Sequence, residues 1–230
     1  MSEFFEPPPP PEEPDEADRC HRRPEWFGPP EGTLPGIVPL ELVLARSAKA
    51  AVYVTHLAAY PAGFRFELQM VSASEHDDEL DLDPMMMFHH HRARRGRQAQ
   101  LPPELLRVGV QFQDGRRATS TAGPPHQFDP HKPPTEPVMN EEGGGGGGGS
   151  WQQLYWVWPL PPPGPLQLVC EWPAAGIPVT RKEVDGQLIL NAASRANAIF
   201  PEAHSSRGGA RRSRVRLKSA RPPPPQPHSN

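Results

Sequence analysis

The chain has 230 residues, of which 34 are Pro, 20 are Gly and only 36% are hydrophobic. So few apolar side chains cannot form a core over the whole length, which excludes a fold that uses all 230 residues. The apolar runs are short, which excludes a membrane-spanning helix. The net charge of −3 is unevenly divided, with an acidic beginning and a basic end.

Residues 1–36 are predicted to form a disordered, acidic, Pro-rich head. The first 18 positions carry seven acidic residues and no basic residue, a pattern typical of solvated segments. There is no apolar stretch of signal-peptide length and the chain has only two Cys, so we expect a cytoplasmic protein. Trp26 and Phe27 are an aromatic pair in polar surroundings, and we expect them to pack on this domain or to contact a partner protein.

Residues 37–202 are predicted to form a single domain of short strands. In the first block, residues 37–72, Phe64, Phe66 and Leu68 alternate with polar side chains, which is the period of a half-buried strand. In the second, residues 101–121, Val108 and Val110 alternate in the same way and Asp114-Gly115 follows as a hairpin signal. These turns and strands favour an antiparallel sandwich.

The third block, residues 150–202, holds the densest aromatic group of the chain: Trp151, Tyr155, Trp156, Trp158 and Trp172. Two interpretations stay open, a group that fills the core or an aromatic platform for a peptide or glycan. Asp185 is predicted to cap a helix that runs to Phe200 and stops at Pro201. The predicted fold is all-β, an antiparallel immunoglobulin-like sandwich of about seven strands with one C-terminal helix.

Two stretches without a repeating period, residues 74–100 and 122–150, are predicted to be disordered insertions. The second ends in seven consecutive Gly, residues 143–149, which we interpret as a flexible linker. A phosphate-binding loop would need a strand before the glycines and a helix after them, and neither is predicted.

The charged part of the first insertion does not predict a metal site. A calcium loop that began at Asp77 would have Leu82 where Gly is required and Phe88 where Glu is required. The histidines at positions 89–91 are followed by four arginines, which would repel a cation. We therefore predict no metal and no cofactor.

No catalytic motif is recognisable, so we predict that the protein is not an enzyme. His56 and Glu171 are the two side chains from which a site across strands could still be assembled. We interpret His56 as a structural histidine and expect Glu171 to point to solvent.

The segment from residue 203 to 230 is predicted to be a disordered basic tail. The residues that could contact an anion are Arg211, Arg212, Arg214, Arg216 and Lys218. Such a tail can neutralise phosphates on a nucleic acid or an anionic surface, or it can serve only to keep the protein solvated.

Three stretches carry a resemblance: WVWPLPPPGPLQLVCEWPAAGIP (residues 156–178), LLRVGVQFQDGRRATS (105–120) and AYPAGFRFEL (59–68). With the acidic Pro-rich opening, the chain resembles a family of small proteins of high-GC Gram-positive bacteria over most of residues 1–202. That resemblance implies no activity.

The leading hypothesis for the function is a non-enzymatic protein-interaction or structural module. Binding of nucleic acid or an anionic surface by the tail is the first alternative, and an enzyme with an unrecognised site is the second.

Overall fold

The computed structural model describes residues 23–73, 101–122 and 132–200. Several predictions lie outside this part of the chain. They concern the head up to residue 22, the insertion at 74–100 and the basic tail with Arg211, Arg212, Arg214, Arg216 and Lys218.

The described chain consists mostly of β-strands in antiparallel sheets, with one helix. In chain order the elements are β1 (Thr33–Leu34), β2 (Gly36–Arg46), β3 (Ala50–Ala59), β4 (Phe64–Ser72), β5 (Arg107–Gln111), β6 (Arg117–Thr119), β7 (Val138–Gly147), β8 (Ser150–Trp158), β9 (Pro165–Trp172), β10 (Ile177–Asp185), α1 (Gly186–Ala193) and β11 (Asn197–Ala198). They form a five-stranded sheet, β2-β3-β4-β8-β7, a four-stranded sheet, β10-β9-β5-β6, and a two-stranded ribbon, β1-β11. The predicted antiparallel all-β class is confirmed, and the described strands outnumber the seven expected.

The two larger sheets share one hydrophobic core. Strand β4 contributes Phe64, Phe66, Leu68 and Met70, the residues whose alternation predicted this strand, and each is at most 2% exposed. Strand β9 contributes Leu166, Leu168, Cys170 and Trp172 from the other sheet. Full burial of one large apolar side chain stabilises a fold by about 1.5–3 kcal/mol. Because each of these two strands buries four such side chains, their packing holds the two sheets together.

The hairpin predicted at Asp114-Gly115 connects β5 to β6. Gly115 has a φ of 87°, a conformation that glycine adopts without steric cost. The Asp114 carboxylate accepts hydrogen bonds from the backbone N–H and the Nε of Arg116, at 3.0 and 2.8 Å. The turn is therefore fixed by both backbone and side chain.

The interpretation of the glycine run as a flexible linker was wrong. Residues 143–147 complete strand β7, which pairs with β8 until Gly147 lies opposite Ser150. Gly148 and Gly149, with φ of 60° and 80°, form the two-residue turn between these strands. Glycine has no side chain and so no period of hydrophobicity, which is why the pattern could not reveal a strand whose order comes from backbone pairing with β8.

The predicted disordered head also extends too far, because residues 23–36 are ordered. Strand β1 pairs with β11, and β2 begins at Gly36 rather than after it. Gly36 lies so close to the helix that an added Cβ would collide with the Ala192 carbonyl oxygen. This close approach places the first residue of β2 directly against the helix.

The helix begins where it was predicted but ends earlier. The Asp185 carboxylate accepts a hydrogen bond from the Gln187 backbone N–H at 2.9 Å, which is the expected N-cap. The helix ends at Ala193 rather than near Phe200, because Asn197 and Ala198 instead pair with β1. Ile189 and Ala192 are buried in the core that the sheets share.

Candidate functional site

Strand β8 presents aromatic side chains on both of its faces. Tyr155 and Val157 belong to the core between the sheets, whereas Trp156 joins a second, smaller cluster with Ala58 and Tyr60. Trp158 packs against this second cluster. Because neighbouring strand residues point to opposite faces, the second cluster lies on the outer surface of the five-stranded sheet. We call the surface formed by Tyr60, Trp156 and Trp158 the aromatic face.

The aromatic face is covered by residues 23–30, which we call the Trp26 segment. Trp156 is fully buried although it lies on an outer surface, and its indole Nε1 donates a hydrogen bond to the Glu25 carbonyl oxygen at 3.0 Å. Asn140 lies opposite Trp156 in the β7–β8 pair, and its Nδ2 donates to the Trp26 carbonyl oxygen at 2.6 Å. Two neighbouring side chains of the sheet thus hold two successive carbonyls of the segment.

Ring contacts add to these hydrogen bonds. The Trp26 and Trp158 ring centroids are 5.9 Å apart at an interplanar angle of 63°, and those of Tyr60 and Trp156 are 5.6 Å apart at 69°. Edge-to-face pairs of this kind contribute about 0.5–1.5 kcal/mol each beyond their buried area. Trp26 therefore occupies the aromatic face by contacts that depend on its ring.

The Trp26 segment is folded into a turn of its own. The Phe27 backbone N–H donates to the Pro24 carbonyl oxygen at 3.0 Å, and Arg23 Nη2 donates to the Phe27 carbonyl oxygen at 2.9 Å. A Cβ at Gly28 would lie 2.9 Å from Arg23 Cζ, at the end of a flexible side chain. The segment is a short Pro- and Trp-bearing turn rather than an added strand.

An ion pair borders the aromatic face. Arg65 Nη1 lies 3.7 Å from Glu142 Oε2, and the Arg65 guanidinium lies 5.8 Å from the Tyr60 ring centroid. Burial raises the pKa of the Glu142 carboxyl, while Arg65 and then Arg23 oppose that rise. Burial likewise raises the pKa of Tyr60. Glu142 thus interacts electrostatically with a cation of the sheet and with one of the Trp26 segment.

The fit between the segment and the sheet leaves polar atoms without partners. The Trp26 Nε1 and the Asn140 Oδ1 are both buried and have no hydrogen-bond partner within the described residues. A buried polar group without a partner costs about 1–3 kcal/mol. The intramolecular contact is therefore less favourable than it could be.

The sequence prediction for Trp26 and Phe27 left two alternatives. The Trp26 ring contacts Trp158 of this domain and the Phe27 ring contacts Trp26, while contact with a partner protein stays a prediction. Of the five residues in the aromatic group of the third block, Trp151, Tyr155 and Trp172 pack in the shared core, and Trp156 and Trp158 belong to the aromatic face. Sequence reasoning did not find Asn140, Glu142, Arg65 or Tyr60. Asn140 and Glu142 lay in the stretch interpreted as an insertion.

The side chains considered for catalysis lie in different sheets. His56 is on β3, where its Nδ1 lies 3.1 Å from the Thr55 hydroxyl. Glu171 is on β9, on the face opposite to Cys170, and it accepts a hydrogen bond from Arg107 Nη1 at 2.6 Å. Glu171 was expected to point to solvent; it lies on the face away from the core, but its side chain is partly buried and is paired with Arg107. No group of three His, Cys, Asp or Glu that could hold a metal occurs among the described residues.

An open cleft of about 430 Å³ lies between β2 and β10 and is lined by residues 43–46 and 180–182. Its polar lining consists of Arg46, Thr180, Arg181 and Lys182, without a carboxylate, an imidazole or a thiol. General acid–base catalysis uses His most often, and also Asp, Glu, Lys, Tyr or Cys, so Lys182 is the member of this lining that belongs to that set.

Comparison with known proteins gives no relative: no family model, no curated protein and no solved structure matches the chain. The resemblance to a bacterial family and the cytoplasmic location therefore stay predictions. Within the described residues, no helix has the length and apolar character needed to cross a bilayer.

Proposed function

We propose that the protein is a non-enzymatic interaction module whose aromatic face binds a short Pro- and Trp-bearing turn. The observation that carries the proposal is the Trp26 segment on that face, held by the Trp156 and Asn140 side chains through its main-chain carbonyls. Main-chain contacts give affinity without depending on sequence, while the Trp26 ring against Trp158 supplies specificity. A partner protein with a similar turn would make the same contacts.

Competition between such a partner and the Trp26 segment follows from the imperfect internal fit. A ligand that brings an acceptor to its own Trp N–H would gain a hydrogen bond that Trp26 lacks in the described chain. The segment holds the face because a tethered ligand has an effective concentration of about millimolar. In this proposal the segment keeps the face covered until a better-fitting turn replaces it.

The fold that we propose for this module is an immunoglobulin-like sandwich. In support, the orders β3-β4-β8-β7 and β10-β9-β5-β6 correspond to strands A-B-E-D and G-F-C-C′ of that fold, with β2 as an additional edge strand. A second candidate function as an enzyme has no support from the described residues, because His56 and Glu171 lie in different sheets.

The test uses a fluorescent peptide that copies residues 21–31 and two forms of the full chain, the native one and a Trp26→Ala/Phe27→Ala variant. We expect the variant, whose face is free, to bind the peptide at least about tenfold more tightly than the native chain does. Fluorescence anisotropy measures both affinities. Equal affinities, or a lack of binding to the variant, would contradict the proposal.

Two further variants locate the binding site. Adding Trp158→Ala to the free-face variant is expected to abolish peptide binding, because it removes the ring that Trp26 contacts. The matched control is Tyr53→Ala, since Tyr53 lies half-buried on β3 and makes no ring contact in the described chain. A peptide with Ala in place of its Trp should bind neither form.

A further inference from the structure

The cleft between β2 and β10 lies where the edges of the two larger sheets meet. In the described chain, β2 is an edge strand of the five-stranded sheet and β10 is an edge strand of the four-stranded sheet. An edge strand presents unpaired backbone N–H and C=O groups, with which a further strand can pair. We call the surface formed by residues 43–46 and 180–182 the edge cleft.

The two strands of the edge cleft are fixed to each other and to the core. The Ser47 hydroxyl, directly after β2, donates a hydrogen bond to the Ala175 carbonyl oxygen, shortly before β10, at 2.7 Å. Leu44 and Ala45 of β2 and Val184 of β10 are buried in the core that the sheets share. The edge cleft is therefore built on strands that the core holds in place.

The lining of the edge cleft is positively charged and contains no carboxylate. Arg46, Arg181 and Lys182 are exposed, and none of the three forms an ion pair with another described residue. The acidic residues closest to them on the same strands, Glu41 and Glu183, are also exposed but do not line the cleft. The charge that complements this lining is therefore negative.

The combination of a strand edge with cations favours one kind of occupant, an extended acidic peptide. Lys and Arg on an edge oppose the addition of a neutral or basic strand, but they attract a strand that carries carboxylates. Val43 is 52% exposed and adds an apolar contact to the lining. A single-stranded nucleic acid fits less well, because its bases usually stack on aromatic rings and no aromatic residue lines the edge cleft.

We propose that the edge cleft binds an extended acidic segment of a partner protein. The segment adds a strand at this edge through main-chain hydrogen bonds, and its carboxylates contact Arg46, Arg181 and Lys182. In binding of this kind the main-chain hydrogen bonds give affinity and the side chains give specificity. This surface is separate from the aromatic face, and the proposal does not depend on the function proposed for that face.

The test uses the full chain and a fluorescein-labelled peptide of four Glu-Val repeats, which places all of its carboxylates on one face when it is extended. We expect this peptide to bind, and a peptide of four Lys-Val repeats not to bind. The Arg46→Gln/Lys182→Gln variant removes one cation from each strand and should lower the affinity about three- to tenfold. Fluorescence anisotropy measures each affinity.

The matched control is Arg117→Gln/Lys132→Gln, which removes one Arg and one Lys at exposed positions outside the edge cleft. It should bind the Glu-Val peptide as the native chain does, and circular dichroism should show both variants folded. An equal loss of affinity in the two variants would mean that only the total charge of the protein matters, which overturns the proposal.

Two modified peptides separate strand addition from charge alone. N-methylation at every Glu, or at every Val, removes the N–H groups from one edge of the extended peptide. At least one modified peptide should lose binding, and native affinity in both overturns the proposal. It is also overturned if an oligothymidylate displaces the Glu-Val peptide and binds more tightly. A native chain that does not bind the peptide, as expected if its own acidic residues 1–18 filled the cleft, contradicts it as well.

Discussion

The Glu141 carboxyl group is largely buried, which disfavours its charged form. It lies on β7 opposite Tyr155, whose side chain belongs to the core between the sheets. Burial raises the pKa of Glu141 to about 7 from an ordinary value of 4.5, and burial followed by the charge of Glu141 raises the pKa of Tyr155. The folded protein therefore retains a proton at Glu141 over a pH range in which the unfolded chain has lost it.

We predict that Glu141→Gln stabilises the protein more at pH 8 than at pH 4. The raised pKa lowers the free energy of unfolding as pH rises from 4.5 to about 7, with no further loss above that range. The increase in the free energy of unfolding that the substitution causes should differ between the two pH values by at most about 3 kcal/mol. Urea denaturation at each pH measures it. Glu183→Gln, at an exposed position, is the control, and the same pH dependence in both variants would contradict the prediction.

At the scale of single residues, the sequence predicts the role of a residue where that role depends on its neighbours in the chain. It does not predict a role that depends on a distant strand. Asp185 was predicted as an N-cap because the cap is a local interaction with Gln187. The Asn140 side chain donates a hydrogen bond to the Trp26 carbonyl oxygen, 114 positions away, and no local sequence pattern predicts that contact. Trp26 itself stood out because an apolar residue in a polar segment needs a surface to cover it.

At the scale of elements, the glycine-rich half of β7 is the least expected strand and the easiest to test. An added Cβ at Gly146 would collide with the Ser150 carbonyl oxygen and lie 2.7 Å from Trp151 Cα, whereas at Gly147 nothing lies within 4 Å. We predict that Gly146→Ala lowers the free energy of unfolding by about 1–3 kcal/mol. Gly147→Ala should change it by less than about 0.5 kcal/mol, as is usual for a surface position.

Urea denaturation of these two variants distinguishes a paired strand from a solvated linker. In a linker both substitutions would have the same small effect, because neither Cβ would meet another atom. An equal response at positions 146 and 147 would therefore contradict the pairing of β7 with β8. The pair is well matched, since the residue type, the substitution and the strand are the same.

Elements were predictable where a side-chain period existed. Strand β4 alternates Phe64, Phe66 and Leu68 with polar residues because only one of its faces is buried in the core. Strand β8 is apolar on both faces, since Tyr155 faces the core and Trp156 lies under the Trp26 segment. The sequence therefore could not predict which face of β8 is turned toward the core. The end of α1 was missed because the alternative, pairing with β1, involves residues more than 160 positions away.

At the scale of the whole molecule, one core joins the two larger sheets while the Trp26 segment and the β1–β11 ribbon lie outside it. The shared core depends on both sheets and should open only when they separate. Because neither feature contributes residues to the shared core, we expect each of them to be able to detach without separating the two sheets. The Trp26 segment is therefore peripheral, whereas the aromatic face that it covers lies on the five-stranded sheet.

Cys170 can report this separation, because it is fully buried in the shared core and burial raises the pKa of its thiol to about 12. In a Cys20→Ser background it is the remaining thiol. We predict that an aromatic disulfide reagent labels Cys170 only through global unfolding, because the thiolate is the reactive form and has no access to solvent. The free energy from labelling and its dependence on urea should then equal those of global unfolding.

The Trp26→Ala/Phe27→Ala variant extends this measurement to the aromatic face. In this variant Cys170 should still be labelled only through global unfolding of the variant, because release of the Trp26 segment leaves the two sheets packed together. An Ala48→Cys variant that also carries Cys20→Ser and Cys170→Ala places a thiol at an exposed position and should react at once. Labelling of Cys170 at a rate independent of urea would mean that the core opens locally, and the peripheral parts could then no longer be treated as separate from it.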